Sequence, residues 1–319
     1  MATKSKILTC GAYLPKKILT NDDLAKIVDT NDEWISTRTG IKQRHIAADD
    51  EYTSDMAFEA AKDALEKAEM KAEEIDAIIV ATTTPDNVFP SVATKVQNKL
   101  GIKSAFAFDV QAVCSGFVYA LTIADKFIKS DSAKNILVIG AEKLSKILDW
   151  KDRNSCVLFG DGAGAVIMTK SDDDSGIIDC DLGSDGQFYE ILRTTDGPAM
   201  NNAPAVITMQ GKEVFKNAVN KMSNGVIDII KRNRLTINDI NLIIPHQANN
   251  RIIMAIKDKT KISEEKLVST VAMHANTSAA SIPLALNQTL QEGLIKRSDM
   301  LVLTALGAGL TWGSIILKW

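Results

Sequence analysis

Three side chains of this sequence, Cys114, His246 and Asn276, combine a nucleophile with two polar groups that can donate hydrogen bonds. Cys114 lies in FDVQAVCSGFVYAL, where the alternation typical of a strand gives way to the apolar spacing of a helix. A helix start offers free N–H groups and the positive end of the helix dipole, so we expect the pKa of this thiol to lie below its usual value of about 8.5. The alternative is a buried cysteine that serves as a small hydrophobic residue.

His246 and Asn276 occupy positions where an α/β fold places ligand-binding groups. The run LIIPHQANNRII predicts a strand that ends at Pro245, with His246 directly after it and a helix following. Ligands of open α/β sheets bind at such strand ends. Asn276 lies in VAMHANTSAASIPLAL, which corresponds in the second half of the chain to the loop of Cys114. Taken singly, His246 could be a capping or core histidine, and Asn276 could be a helix N-cap.

The secondary-structure elements that would position these residues occur as an internal repeat, once in each half of the chain. IDAIIVATTT, KNILVIGAE and GAGAVIMTK predict buried strands, because continuous apolar runs suit a sheet that is covered on both faces. The region around IDAIIVATTT is echoed by NDINLIIPHQANNRII, and NILVIGAE with GDGAGAVIM is echoed by MLVLTALGAGLTWGSIIL. We therefore predict an α/β fold of two duplicated halves, residues 1–172 and 173–319, with two parallel-rich sheets sandwiched by helices. A site between the halves would bring the three side chains together.

Composition excludes several classes of function. The chain has 319 residues and a formal net charge of −3, which argues against a general nucleic-acid binder. Its four cysteines show no CxxC spacing, so we expect neither a disulfide framework nor a metal site, and a reducing cytoplasm fits better. The first residues lack the apolar core of a signal peptide. The most apolar window, around Cys114, is interrupted by polar residues and is interpreted as a buried segment rather than a membrane span.

Seven blocks in order resemble one family from end to end: DEWISTRTGIKQRHIA, FDVQAVCSGF, LFGDGAGAV, GKEVFKNAV, PHQANNRI, HANTSAASIPLAL and GAGLTWGS. The family is β-ketoacyl-acyl-carrier-protein synthase III, whose thiolase-like fold is a layered αβαβα sandwich and whose members start bacterial fatty-acid chains. The resemblance implies that Cys114, His246 and Asn276 form the catalytic triad. It also implies that the backbone N–H groups of Cys114 and Ala308 form the oxyanion hole.

The same resemblance implies the reaction and its partners. Cys114 would take an acyl group from acyl-CoA, which is a substrate, so no cofactor is expected. Malonyl-acyl-carrier protein would then lose CO2, and neutral donors from His246 and Asn276 would stabilise the enolate. Attack of that carbanion on the acyl-cysteine would give the 3-ketoacyl product.

Further positions carry over from the family's binding sites. For CoA they are Thr30, Trp34, Arg38, Arg153, Gly211, Phe215 and Asn249, and for the carrier protein they are Lys216, Arg251 and Lys257. Phe89 resembles the phenylalanine that enters the acyl pocket of the neighbouring subunit, which implies a homodimer and a short primer. From the residues alone, Trp34 and Phe89 could instead be core residues and Arg153 a surface charge.

Three positions depart from the family's pattern. Ala275 stands between His274 and Asn276 where glycine is usual, Ala308 replaces the middle glycine of a triple-glycine loop, and Asn154 replaces another glycine. The methyl group of Ala308 could narrow the site or disfavour a positive φ.

Four rival functions follow from the same residues. A thiolase would need a second cysteine after Cys180, and the sequence has none. A type III polyketide synthase-like condensing enzyme, a cysteine hydrolase and a noncatalytic carrier-protein-binding scaffold stay open. They differ in whether an acyl adduct forms and whether a carbon–carbon bond follows.

Overall fold

A computed structural model describes residues 4–200 and 205–319. Its strands are β1 Ser5–Tyr13, β2 Lys17–Thr20, β3 Gln43–Ile46, β4 Ala77–Ala81, β5 Phe106–Val110, β6 Ile136–Glu142, β7 Gly162–Lys170, β8 Gly176–Ser184, β9 Leu192–Thr194, β10 Ile207–Met209, β11 Leu242–Pro245, β12 Met300–Gly307 and β13 Thr311–Lys318. Its α-helices are α1 Asn21–Leu24, α2 Asp32–Thr39, α3 Thr53–Lys67, α4 Val92–Lys99, α5 Gly116–Lys129, α6 Arg153–Cys156, α7 Gly211–Arg232, α8 Asn250–Thr260, α9 Val271–His274 and α10 Ser281–Gln291.

Two larger sheets form the frame of the molecule. The first has five strands in the order β1-β7-β6-β4-β5, and the second has four in the order β11-β12-β13-β8. Strands of the first sheet come from residues 5–170 and those of the second from residues 176–318. The boundary between predicted halves at residues 172 and 173 therefore falls in the connection between the sheets, although the division into two units stays a prediction.

The prediction of parallel-rich sheets is wrong. In the first sheet β4 pairs parallel with β5 and β6, but β7 pairs antiparallel with both β6 and β1. In the second sheet β11 and β12 are parallel, whereas β13 is antiparallel to β12 and β8. Both sheets are mixed because each continues past its parallel strands through antiparallel neighbours, which apolar strand runs alone do not reveal.

The layers follow from which helices pack on which sheet. Helices α3 and α4 cover the outer face of the first sheet, and α7 covers the outer face of the second with α8 packed against it. Between the sheets lie α5 and α10, which both contact strands of each sheet. This αβαβα arrangement confirms the predicted thiolase-like fold, with one central helix from each half.

Each central helix begins just after a tight turn that contains or closely follows a predicted catalytic residue, Cys114 in the first half and Asn276 in the second. After β5 the chain forms a 3-10 turn over Val113–Ser115 and enters α5 at Gly116. In the second half a 3-10 turn over Ser278–Ala280 leads into α10 at Ser281. These two turns contact each other between the two sheets.

Within the described residues, no helix is both long enough and apolar enough to cross a membrane.

Candidate active site

One cavity of about 1200 Å³ lies where the two central turns meet, and both halves contribute to it. The predicted site residues that line it are Arg38, Cys114, Gly211, Phe215, His246, Asn249, Arg251, Asn276 and Ala308. The predicted residues outside this lining are Thr30, Trp34, Phe89, Arg153, Lys216 and Lys257. The structure thus brings the three chemical groups and most of the expected channel residues to one cavity.

Cys114 is 7% exposed and lies in the 3-10 turn before α5. Burial raises the pKa of the Cys114 thiol to about 12, so the predicted lowering of this pKa is wrong. The magnitudes explain the difference: a helix dipole contributes only about 0.3–1 kcal/mol, less than one pKa unit, whereas full burial shifts a pKa by up to about 3–5 units. The resting thiol is therefore protonated, and its proton must be removed when it attacks.

The backbone around Cys114 packs directly on the end of β12. A Cβ atom added to Gly307 would lie 2.6 Å from Ala112 O and 2.9 Å from Cys114 N, too close for any side chain. Glycine at 307 therefore allows the Cys114 turn to approach the chain just before Ala308. This contact sets the position of the Cys114 N–H group relative to Ala308.

His246 directly follows Pro245, the last residue of β11, as the sequence predicts. It is 3% exposed, and burial lowers its pKa to about 3, so the imidazole is neutral. Its Nδ1 lies 2.6 Å from Ser281 Oγ, and that oxygen also accepts the Gln247 N–H group at 3.3 Å. We assign the ring proton to Nε2, because Nδ1 is the acceptor that these contacts offer to the Ser281 hydroxyl. His246 therefore offers a neutral N–H donor to the cavity.

Asn276 is held by backbone on both sides. Its N–H donates to Leu158 O at 2.9 Å, and its carbonyl oxygen accepts the Gly160 N–H at 3.0 Å. Its side-chain Oδ1 accepts the backbone N–H of Ser278 at 2.9 Å, which orients the carboxamide. The amide NH2 group therefore remains available as a donor where Asn276 lines the cavity.

Behind Cys114 lies a polar pair that the sequence interpretation missed. Ser278 lines the cavity with Cys114 and acts to lower the pKa of the thiol, and its Oγ donates at 3.0 Å to Oε1 of Glu142, which is fully buried. Ser281, the partner of His246, was missed as well. One signal was present in the sequence: Glu142 ends the apolar strand ILVIGAE, where an acidic residue needs a partner.

Trp34 lies outside the cavity lining and makes cation–π contacts with two arginines, Arg38 and Arg153. The guanidinium carbon of Arg38 lies 4.8 Å from the centre of the Trp34 ring, and that of Arg153 lies 5.1 Å from it. A flat ring held between Trp34 and Arg153 would need a separation of about 7 Å, two van der Waals contacts of about 3.5 Å each. In this structure the two groups touch each other, so Arg153 would have to move for a base to enter.

Other predicted CoA residues show distinct local roles. Thr30 Oγ1 is buried and has no hydrogen-bond partner among the described residues. Asn249 caps α8: its Oδ1 accepts the Arg251 N–H at 2.8 Å, and its Nδ2 donates to Arg38 O at 3.2 Å. Gly211 begins α7, and Phe215 follows one turn later on the cavity side.

The three predicted carrier-protein contacts differ in their surroundings. Arg251 is exposed at the cavity rim, with its guanidinium carbon 5.7 Å from the Phe215 ring centre. Lys216 is exposed on α7. Lys257 is partly buried and donates to Glu264 at 2.9 Å, so its charge is already paired.

Phe89 does not pack in the core of its own chain. It is 83% exposed, and its neighbour Val88 is 72% exposed. The side chain lies outside the cavity of its own chain.

The departures from the family's pattern have different structural effects. Ala308 does not appear among the non-glycine residues of positive φ in the described part of the chain, so the strain expected there is absent. Ala275 has φ 56° and ψ −160°, a conformation that suits glycine. Asn154 lies in the right-handed helix α6 and needs no left-handed backbone. Strain therefore falls on the residue next to Asn276.

Two segments of the chain match models of one protein family. Residues 108–186 match the model for 3-oxoacyl-(acyl-carrier-protein) synthase III, and residues 230–319 match the model for its C-terminal part. These two segments contain Cys114, His246 and Asn276.

Full-length relatives agree with the family models. The chain is 54% identical over 314 residues to the beta-ketoacyl-(acyl-carrier-protein) synthase III of Rickettsia bellii, covering 98% of this chain and 99% of the relative. It is 56% identical over 316 residues to that of Ehrlichia canis, covering 99% of both. The crystal structure of 3-oxoacyl-(acyl-carrier-protein) synthase III from Aquifex aeolicus is 50% identical, with a TM-score of 0.95 over 99% of this chain and 100% of that one.

Proposed function

The chain belongs to the 3-oxoacyl-(acyl-carrier-protein) synthase III family of initiating condensing enzymes in fatty-acid biosynthesis, and on that premise we propose how its residues divide the reaction. Cys114 accepts an acyl group from acyl-CoA, and His246 with Asn276 supports decarboxylation of malonyl-acyl-carrier protein. The observation that carries this proposal is the convergence of these three side chains on one cavity.

In the first half-reaction the Cys114 sulfur attacks the thioester carbon and CoA leaves. The carbonyl oxygen gains negative charge and is stabilised by the N–H groups of Cys114 and Ala308. The close packing of Gly307 on the Cys114 turn supports this pairing, because it keeps the two backbone segments within reach of one oxygen.

In the second half-reaction the malonyl group loses CO2 and leaves an enolate. The neutral Nε2–H of His246 and the amide of Asn276 donate to its oxygen without protonating the reactive carbon. The burial that lowers the pKa of His246 to about 3 supports this role, because a charged imidazolium would be an acid.

CoA binding is assigned to the cavity and its rim. Gly211, Phe215 and Asn249 line the route to Cys114, and Arg38, Trp34 and Arg153 form a stacked group near the rim. The buried hydroxyl of Thr30, which lacks a partner in the part of the chain that the structure describes, supports its inclusion, since such atoms are uncommon in proteins. Stacking on Trp34 suits the adenine base.

The carrier protein is assigned to the rim formed by α7 and α8. Lys216 and Arg251 are exposed there and fit an acidic partner, and Lys257 would contribute less because Glu264 already pairs with it.

We propose a homodimer through the edge of the first sheet. Strand β5 is an edge strand, and its Phe106 is 40% exposed, so the backbone edge of this strand and one aromatic side chain stay uncovered in one chain. The exposed Phe89 would then enter the partner's acyl pocket. We also propose a cytoplasmic location, because all four cysteines are free.

One experiment tests the whole sequence of steps. The enzyme is incubated with acetyl-CoA and digested, and mass spectrometry locates the acyl group; malonyl-acyl-carrier protein is then added and the 3-ketoacyl product is measured. Acylation of Cys114 followed by carbon–carbon bond formation supports the proposal. An acyl group on Cys10, Cys156 or Cys180, or release of free acid without a new bond, contradicts it.

A further inference from the structure

Glu142 is a carboxyl group buried directly behind the proposed nucleophile. It ends β6, is fully inaccessible to solvent, and is surrounded by neutral donors. Oε2 accepts Thr84 Oγ1 at 2.6 Å, and both oxygens accept the Thr83 N–H, at 3.2 and 3.1 Å. Oε1 also accepts Ser278 Oγ at 3.0 Å. None of these contacts is with a cation, so nothing in this group of partners neutralises the carboxylate.

Ser278 connects this carboxyl group to the thiol. Its hydroxyl donates to Glu142 Oε1 at 3.0 Å, and its turn packs against the turn of Cys114, where Ser278 acts to lower the pKa of the thiol. Ser278 also has φ 49°, a left-handed conformation that costs a non-glycine residue about 1–2 kcal/mol. Glycine would adopt this backbone more easily, so the position retains a hydroxyl at a conformational cost.

The histidine of the site is poorly placed to receive the thiol proton. With the ring proton assigned to Nε2, Nδ1 accepts from Ser281 and Nε2 is already protonated. Burial also lowers the pKa of His246 to about 3, which makes it a weak base. A different group must therefore hold the proton of Cys114 when the sulfur attacks.

We propose that Glu142 receives the Cys114 proton through the Ser278 hydroxyl, so that Cys114, Ser278 and Glu142 form a proton relay for enzyme acylation. This inference rests on the proposed role of Cys114 as the nucleophile. Burial raises the pKa of Glu142 from 4.5 to about 7, so the carboxyl group binds a proton readily near neutral pH.

The steps balance over one turnover. The Cys114 S–H proton moves to Ser278 Oγ while the Ser278 proton moves to Glu142 Oε1, and the sulfur forms its bond to the thioester carbon. The bond from that carbon to the CoA sulfur breaks, and the CoA thiolate takes a proton from water. When the enolate attacks the acyl-cysteine, the Cys114 sulfur leaves as a thiolate and recovers its proton from Glu142 through Ser278.

The test is the single-turnover rate of Cys114 acylation by acetyl-CoA, measured by rapid quench and mass spectrometry. Glu142→Gln keeps the size of the side chain but cannot accept a proton, and we expect acylation to slow by about 100-fold. Ser278→Ala breaks the link and should slow it similarly. The double variant should be no slower than either single variant, because both interrupt one path.

Asp161→Asn is the matched control. Asp161 is also buried, and its carboxylate accepts from Ser145 Oγ at 2.6 Å and Ala47 N at 2.8 Å, away from the thiol. This variant should acylate within a few-fold of the parent enzyme. Acylation of Glu142→Gln at the parent rate, or equal slowing by Asp161→Asn, overturns the relay.

A second measurement needs no variant. Two protons move together in the proposed step, so the acylation rate in H2O/D2O mixtures should curve with the deuterium fraction. A linear dependence overturns the relay even if the variants fail to fold. Acylation of the parent enzyme on a cysteine other than Cys114 would instead overturn the proposed function.

Discussion

His246 Nδ1 lies 2.6 Å from Ser281 Oγ, and this contact is the basis for assigning the ring proton to Nε2. Ser281 is the first residue of α10, the central helix of the second half. A rigid helix therefore sets the tautomer of a histidine that follows a strand on another element. Asn276 is oriented by the turn that precedes this helix, because its Oδ1 accepts the Ser278 N–H.

Ser281→Ala should weaken decarboxylation while leaving acylation of Cys114 nearly unchanged. Without the hydroxyl, His246 would populate both neutral tautomers and lose part of its Nε2–H donor. We expect decarboxylation by the acyl-enzyme to slow by about 10-fold, comparable to the loss of one hydrogen bond. ¹⁵N NMR of the imidazole measures the tautomer directly. Ser281→Thr keeps the hydroxyl and should restore both the tautomer and the rate; failure of that rescue would contradict the assignment.

His246→Ala and Asn276→Ala should each slow decarboxylation by about 100- to 1,000-fold, the usual effect of removing one donor to a developing oxyanion. Acylation of Cys114 should persist in both variants, because the enolate forms only in the second half-reaction. The two half-reactions are measured separately, as CoA release and as CO2 release. An equal loss in both would mean that these residues activate the cysteine instead.

Gly307→Ala should impair acylation. The new methyl group would lie 2.9 Å from Cys114 N and 2.6 Å from Ala112 O, so the Cys114 turn must move away from Ala308. We expect loss of oxyanion stabilisation and slowing by about 100-fold. Gly186→Ala is the control, because a Cβ there meets no atom within 4 Å. Normal acylation by Gly307→Ala would show that the two N–H groups do not act together.

The free energy of unfolding of Glu142→Gln, relative to that of the parent enzyme, should be higher at pH 8 than at pH 5. The folded pKa of Glu142 is raised to about 7 from 4.5, so its favourable contribution is present below pH 4.5 and is lost as the pH rises through 7. The groups that face this carboxyl are Thr82, Thr83, Thr84 and Ser278, all neutral, with the Cys114 thiol beyond Ser278.

Linkage gives the size of this effect. A shift of one pKa unit corresponds to about 1.4 kcal/mol, so the gain of the variant relative to the parent enzyme should grow by about 2 kcal/mol from pH 5 to pH 8. His246 and His274 act in the opposite direction: burial lowers their pKa values to about 3 and about 4, so their contribution is lost below pH 6.5. Both the parent enzyme and Glu142→Gln contain these histidines. The difference between their free energies of unfolding, measured by denaturant titration at each pH, therefore reports the contribution of Glu142 alone. A pH-independent difference would contradict the raised pKa.

The local sequence pattern was sufficient to predict the positions of much of the site. The change from strand to helix spacing located the turn of Cys114, and Pro245 marked the strand end before His246. Internal duplication then placed Asn276 opposite Cys114. These features are encoded by residues close in sequence, which is why they could be predicted.

The features that were predicted wrongly or missed depend on contacts between residues that are far apart in sequence. The pKa of Cys114 follows from what covers the thiol, and Ser278 is far from it in sequence. The pairing of Glu142 with Ser278 likewise joins the two halves. The antiparallel pairing of β12 with β13 could have been predicted from the sequence. Only three residues separate these two strands, which is the spacing of a hairpin.

Phe89→Ala should widen primer selection. In the proposed dimer the phenyl ring closes the partner's acyl pocket, which is consistent with its 83% exposure in one chain. Removing it opens space in which each further buried methylene of a primer contributes about 0.8 kcal/mol, whereas forcing one into a filled pocket costs more. Use of butyryl- and longer acyl-CoA should therefore rise relative to acetyl-CoA, measured by competition. Val88→Ala, at the exposed neighbouring position, should leave the ranking unchanged, and sedimentation should show both variants as dimers. An unchanged ranking in an intact Phe89→Ala dimer would mean that another residue forms the end of the pocket.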